Sequence, residues 1–228
     1  MAGATMMLFA SSCADESASN GTQEASGEII VYKLGERPFL IDAVGITADI
    51  TIVSGGGGGA GGVDYNGGGK NSTGGGGGGG AAEVLELKGV TLESNGSYTA
   101  FVGDGGKGGS LGKSGQSGEV SYIELNGERV YEAKSGFGGK SNDIEKKEGG
   151  IGGVGFPNGS AGGEGEDVMP NGEAAPGTGG EGGDNSSGYG AGGAGGLGTQ
   201  ISSNNPIFAK PGAKGKEGYI KITWKGRK

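Results

Sequence analysis

The sequence contains no histidine. That removes the commonest general base and the commonest neutral metal ligand from any account of its chemistry. It contains one cysteine, Cys13, so no internal disulfide can form. A small secreted scaffold with little side-chain core would ordinarily rely on several. Basic clusters are also missing apart from the tail Lys225-Gly-Arg-Lys228, and the formal net charge is −8. Nucleic acid rewards clustered Lys and Arg, and anionic membrane surfaces reward the same feature, so neither is an expected partner. No run approaches the ~18 apolar residues of a membrane-spanning helix, and no membrane insertion is expected.

What the chain has instead is glycine, 62 residues of 228, with only 32% apolar residues. Composition of that kind ordinarily means disorder or low complexity. The glycines, however, keep phase. Gly103, Gly106, Gly109, Gly112, Gly115 and Gly118 recur at strict period three. The same period returns at Gly149, Gly152, Gly155; at Gly159, Gly162, Gly165; at Gly177, Gly180, Gly183; and at Gly190, Gly193, Gly196. Disordered linkers are Gly/Ser-rich without phase and do not alternate with strands. Collagen shares the period, but these runs are short, their phase breaks, and 103–120 holds no proline.

Strand chemistry separates the glycine runs. Residues 28–54 suggest strands at Ile29–Leu34, Phe39–Ile41 and Ala48–Val53, the last with Thr47, Asp49 and Thr51 alternating against Ala48, Ile50 and Ile52. Residues 82–102 carry two more apolar-alternating runs around Asn95-Gly96, a type I′ turn signal. Residues 119–134 predict a hairpin turning at Asn126-Gly127, with Glu124 opposite Arg129, Ile123 opposite Val130 and Tyr122 opposite Tyr131. Tyr219–Trp224 reads as a closing strand, and only residues 141–148 hint at a helical turn.

A left-handed helix with three residues per turn has no internal hydrogen bonds, so its backbone groups must be satisfied by neighbours. Glycine at every third position bares one face; a GGGGG run bares all of them. The expected fold class is mainly β with little or no α: short antiparallel strands and hairpins plus a layered bundle of polyglycine-II helices, its core made of backbone. In that bundle the residues 103–120 form one outer helix, roughly 55 Å long at about 3.1 Å per residue. The runs at 74–80 and 191–196 suit the interior.

Motif matches inside glycine runs carry little. Gly103-Asp-Gly105-Gly-Lys-Gly108 fits GxGxxG, but no helical pattern follows. Gly112-Lys113-Ser114 and Gly139-Lys140-Ser141 resemble a phosphate-loop ending, but Lys107 and Lys134 stand where the earlier glycine is required. Residues 162–170 match the calcium nonapeptide once, and 179–184 match its first half, without the tandem period that shares ligands between turns. No catalytic residue, cofactor site or metal site is assigned, and the chain does not read as an enzyme.

Residues 1–27 form an N-terminal arm and 28–228 the glycine-rich β/polyglycine-II domain. Met6, Met7, Leu8 and Phe9 make the arm apolar enough to dock on a partner surface. Ala10-Ser-Ser-Cys13 also resembles a bacterial lipoprotein cleavage box, but no Lys or Arg precedes Lys33.

The strand entering glycine at Ile50–Gly59, the segment SYTAFVGDGGKGG (97–109) and the closing GYIKITW (218–224) resemble a phage-associated glycine-rich domain. It occurs in tail-fibre tip adhesins of T-even-like phages, in other phage minor tail proteins and in some bacterial surface proteins. The resemblance spans residues 28–226; the acid-rich inserts at 141–148 and 166–175 lie outside it. It implies a sandwich of polyglycine-II helices whose distal loops contact a host receptor and whose N-terminal part joins the fibre. The chain is then expected on the exterior of a phage particle, in the tail or fibre, as a virion protein with other tail-fibre proteins and a host surface protein or saccharide as partners. The alternatives are a minor virion or decoration protein without receptor contact and a glycine-rich surface lipoprotein anchored through Cys13. Candidate receptor contacts are Tyr65, Asn66, Phe156, Asn158, Met169, Asn171, Asn185 and Tyr189, aromatic and amide residues in inserts where the period breaks. The same residues also suit turn punctuation.

Overall fold

The structure, a computed structural model, describes residues 24–31, 35–40, 46–64, 72–93, 96–142, 148–164, 175–200 and 206–227. Its strands are β1 (Glu24–Val31), β2 (Gly35–Leu40), β3 (Ile46–Val53), β4 (Val84–Leu92), β5 (Ser97–Val102), β6 (Ser121–Leu125), β7 (Glu128–Ala133) and β8 (Tyr219–Arg227). They form two antiparallel sheets, ordered β1-β8-β3-β4 and β2-β5-β6-β7. No helix occurs among the described residues.

The sheets face each other over a small apolar core. Ile46, Ala48, Ile50 and Ile52 of β3 are buried while Thr47 and Asp49 are exposed, as the alternation requires. Ile220 and Ile222 of β8, Tyr98, Ala100 and Val102 of β5, and Ile123 of β6 complete the cluster. Phe39 stacks on Tyr98 with ring centroids 5.3 Å apart.

Between the strands, ten extended runs alternate in direction: run 1 (54–63), run 2 (73–83), run 3 (103–110), run 4 (113–120), run 5 (134–142), run 6 (148–156), run 7 (157–164), run 8 (175–183), run 9 (190–199) and run 10 (207–218). Run 1 shows the rule that joins them. Gly55, Gly58 and Gly61 donate to run 4; Gly56, Gly59 and Gly62 to run 10; Gly57, Ala60 and Val63 to run 2, all at 2.8–3.2 Å. Its carbonyls accept with the same period from Gly106, Gly109 and Gly112, from Gly136 and Gly139, and from Gly193 and Gly196. Run 2 does likewise with runs 5, 6, 7, 8 and 9. Each therefore has six neighbouring runs, and the other eight close a ring around the pair, each bonded to the next in chain order and run 10 bonded back to run 3.

Spacing in the centre leaves little room for side chains beyond Ala60 and the run ends. A Cβ on Gly59 would stand 2.0 Å from the Ala194 carbonyl oxygen, and one on Gly78 would stand 2.0 Å from that of Glu181.

Runs and strands are one lattice. Runs 1 and 2 continue as the pair β3/β4, runs 1 and 10 as β3/β8, runs 3 and 4 as β5/β6, and runs 4 and 5 as β6/β7. At the junction Ser54 Oγ donates to the Ala133 carbonyl (2.7 Å) and accepts from the Ser121 N–H (2.6 Å), while Ser121 Oγ accepts from the Gly103 N–H (3.0 Å). These buried hydroxyls satisfy backbone groups where lattice gives way to sheet.

Several expectations are corrected. Residues 103–120 are not one long outer rod: they fold back at Leu111-Gly112, where Gly112 takes φ 66, and runs 3 and 4 lie antiparallel. The glycine period survives the turn, because Gly106, Gly109, Gly112, Gly115 and Gly118 all donate to runs 1 or 5. Residues 191–196 sit in the ring rather than the interior, with Ala194 exposed. β4 and β5 do not pair around Asn95-Gly96. They belong to different sheets, because β4 emerges from run 2 beside β3 while β5 pairs with β2 and β6. In the β6/β7 hairpin Glu124 does face Arg129, but a bulge then sets Ile123 opposite Tyr131 and Tyr122 opposite Glu132. The slip packs the larger Tyr131 against the core and leaves Val130 exposed. It also places the Arg129 guanidinium 3.7 Å from the Tyr122 ring centroid. The helical hint at 141–148 falls mostly outside the described residues.

Because overpacking a rigid interior costs about 1–3 kcal/mol or more, Gly59→Ala or Gly78→Ala is expected to abolish the cooperative thermal transition or lower its midpoint steeply. Gln116→Ala, at an exposed ring position, is expected to leave it in place. Ile222, buried in the central strand β8, should cost about 2–5 kcal/mol as Ile222→Ala in chemical denaturation.

Candidate functional site

The alternating runs sort the chain's turns between two ends of the block. Beside the sheets lie 156–158 and 184–189. At the far end lie the turn 111–112 and the described residues that flank 65–71, 143–147, 165–174 and 201–205.

Hydroxyls cap the far end. Thr73 Oγ1 donates to the Val63 carbonyl and accepts from the Thr199 N–H (2.7 Å), and Thr199 Oγ1 donates to Asp64 Oδ1 (3.2 Å). Isolated bridges Ser72–Gln200 and Gln200–Ile207 tie the flanks together. The stems that enter 65–71 and 201–205 are therefore fixed. Leu111 in the turn 111–112 and Phe208 (72% exposed) on run 10 are both exposed at this end.

The residues singled out from sequence divide accordingly. Tyr65, Asn66, Met169 and Asn171, together with Met6, Met7, Leu8 and Phe9, lie outside the described residues. Phe156, Asn158, Asn185 and Tyr189 gather at the sheet end around Ala81 and Ala82. The Ala81 N–H donates to the Pro157 carbonyl, the Phe156 N–H to the Ala81 carbonyl, and Asn185 Nδ2 to the Ala82 carbonyl (2.9 Å). Asn158 Oδ1 accepts from the Gly155 N–H (2.8 Å), and Asn185 Oδ1 accepts from the Ser187 N–H and hydroxyl. Tyr189 is half-buried and stacks on Tyr219 with centroids 4.6 Å apart. These three side chains hold turns. Phe156 remains exposed, with Lys134 Nζ 5.9 Å from its ring centroid.

Sequence reading missed two features. Gly212, Gly215 and Gly218 continue the period-three signal into the tail, and all three donate to run 3. An apolar stripe also runs along the flank: Phe137 of run 5 (59% exposed) beside Val154 (63%) and Ile151 (66%) of run 6. The Phe137 N–H donates to the Val154 carbonyl (2.9 Å) and the Lys140 N–H to the Ile151 carbonyl (2.8 Å), which sets the level of each side chain. The signal was an apolar residue in the one position of three that glycine leaves open.

No three Asp, Glu, Cys or His side chains converge as a metal site among the described residues. Among the described residues, the shifted ionisable groups are Arg129 and Tyr131 of β7. Hydrogen bonding to Glu132 raises the Arg129 pKa, and burial raises that of the Tyr131 phenol. What the arrangement offers is a rigid block with two loop-bearing ends and one apolar flank, a geometry suited to binding.

Removing a side chain that satisfies buried backbone costs about 1–3 kcal/mol. Asn185→Ala is expected to lower the melting midpoint on that scale, whereas Phe156→Ala is expected to leave it unchanged. Differential scanning fluorimetry on both variants checks the division between turn-holding and free side chains.

Compared with known protein families and with curated proteins, the chain matches none.

Proposed function

We propose that the chain is a phage virion structural protein, a receptor-binding tail-fibre adhesin whose ten runs are polyglycine-II helices and whose far-end loops contact the host surface. The observation that supports this reading is the period-three hydrogen bonding of two central runs to a ring of eight. Such a block needs no large apolar core, and the described residues that flank the inserts carrying Tyr65, Asn66, Met169 and Asn171 lie at one end of it. Aromatic and amide side chains on a stiff frame bind protein or saccharide surfaces with little ordering cost. The arm containing Met6 to Phe9 would join the fibre. The exposed flank of runs 5 and 6 favours a second reading, a minor virion or decoration protein packed among other subunits without receptor contact.

The test is competition for adsorption. Purified protein is expected to bind host cells and to block attachment of a phage that carries it. Replacing 65–71 and 166–173 by glycine-serine linkers is expected to abolish both effects without changing the melting midpoint. A protein that binds no host cell, or linker variants that bind as well as the parent, would sink the adhesin reading.

A further inference from the structure

Runs 5 and 6 each turn one residue in three to solvent, and the lattice places no demand on what that residue is. Elsewhere on the ring the exposed residues are mostly polar or small, as at Lys107, Lys113, Gln116, Thr178, Glu181 and Ala194, with Phe208 standing singly on run 10. On runs 5 and 6 they include Phe137, Ile151 and Val154, with Phe156 at one end. Nothing in the lattice is gained by apolar groups there, and contiguous exposed apolar side chains on a soluble surface mark contact sites.

The two runs are hydrogen-bonded side by side, and their outward residues recur every three positions on one flank. The stripe is bounded by charge of both signs: Lys134 at the sheet end, Lys140 beside Ile151, and Glu148 at the far end. That order is self-complementary. A two-fold axis lying crosswise to the runs, midway between the Phe137/Val154 level and the Lys140/Ile151 level, exchanges the two ends. It sets Val154 on the partner's Ile151, sets Phe137 on the aliphatic stem of the partner's Lys140, and brings Glu148 towards the partner's Lys134. Each contact occurs twice, as an isologous interface requires.

We propose that this stripe is a self-association face on which a second copy of the chain docks antiparallel. The inference does not rest on the virion reading. Four apolar side chains per copy fall short of the ~800 Å² per partner of a standard stable interface. The dimer is therefore weak and forms as concentration rises.

Sedimentation velocity on the full chain tests it. The weight-average mass should climb from 22.0 kDa towards twice that value through the micromolar range. High salt should not reverse the association, since its centre is apolar. Val154→Glu and Ile151→Lys should each weaken it at least about tenfold while the melting midpoint stays unchanged. Glu148→Lys should weaken it as well, and adding Lys134→Glu should restore it. A mass that stays at 22.0 kDa at every concentration overturns the proposal. So does dimerisation that survives both Val154→Glu and Ile151→Lys, or a charge swap that fails to restore what Glu148→Lys removes.

Discussion

Every backbone N–H and C=O at the centre of this protein is asked to find its partner on another run, at a separation that excludes a Cβ at nearly every position. That constraint governs the rest. A peptide group buried without a partner costs several kcal/mol, so neither central run can exist without its six neighbours. Fixing glycine backbone costs on the order of 1–2 kcal/mol per residue, and only a lattice that satisfies donors and acceptors on all sides offsets it. The two sheets extend the same lattice into a region where side chains are large enough to pack.

Chain order follows from this arrangement. The first two runs become the centre, and the remaining eight wind around them in sequence until run 10 meets run 3. The last segment also supplies β8, which lies between β1 and β3. The final stretch of chain therefore closes the outer ring of the bundle and fills the interior of the first sheet. Until then, donors on Gly56, Gly59 and Gly62 and the edge of β3 that pairs with β8 have no partner. Buried hydroxyls at Ser54, Ser121, Thr73 and Thr199 mark where the repeat stops at either end.

Side chains divide by position more sharply than in an ordinary domain. Away from the run ends, inward positions are glycine or alanine because backbone occupies the space. Outward positions are unconstrained, so their chemistry reports on surroundings rather than on folding. This explains why the amides and the tyrosine picked from the inserts behave differently from Phe156. Asn158, Asn185 and Tyr189 reach back to satisfy or cover turns, while Phe156 joins the apolar flank. Loop identity alone does not separate these roles, since both kinds of residue interrupt the glycine period.

The strands around β3, the Asn126-Gly127 hairpin and the period-three runs are written in the sequence, because each is a local pattern of side-chain size along the chain. Local pattern does not say which run is central. The segments 55–62 and 191–196 look alike, and only the number of runs bonded around each separates centre from ring. Nor does it reveal the reversal at Leu111-Gly112, which leaves the glycine phase intact, or the parting of β4 from β5, which depends on which runs they extend. Residue type by itself determined that this chain would bury backbone instead of side chains. Which backbone meets which was decided only in three dimensions, because identical bare faces carry no information until a neighbour occupies them.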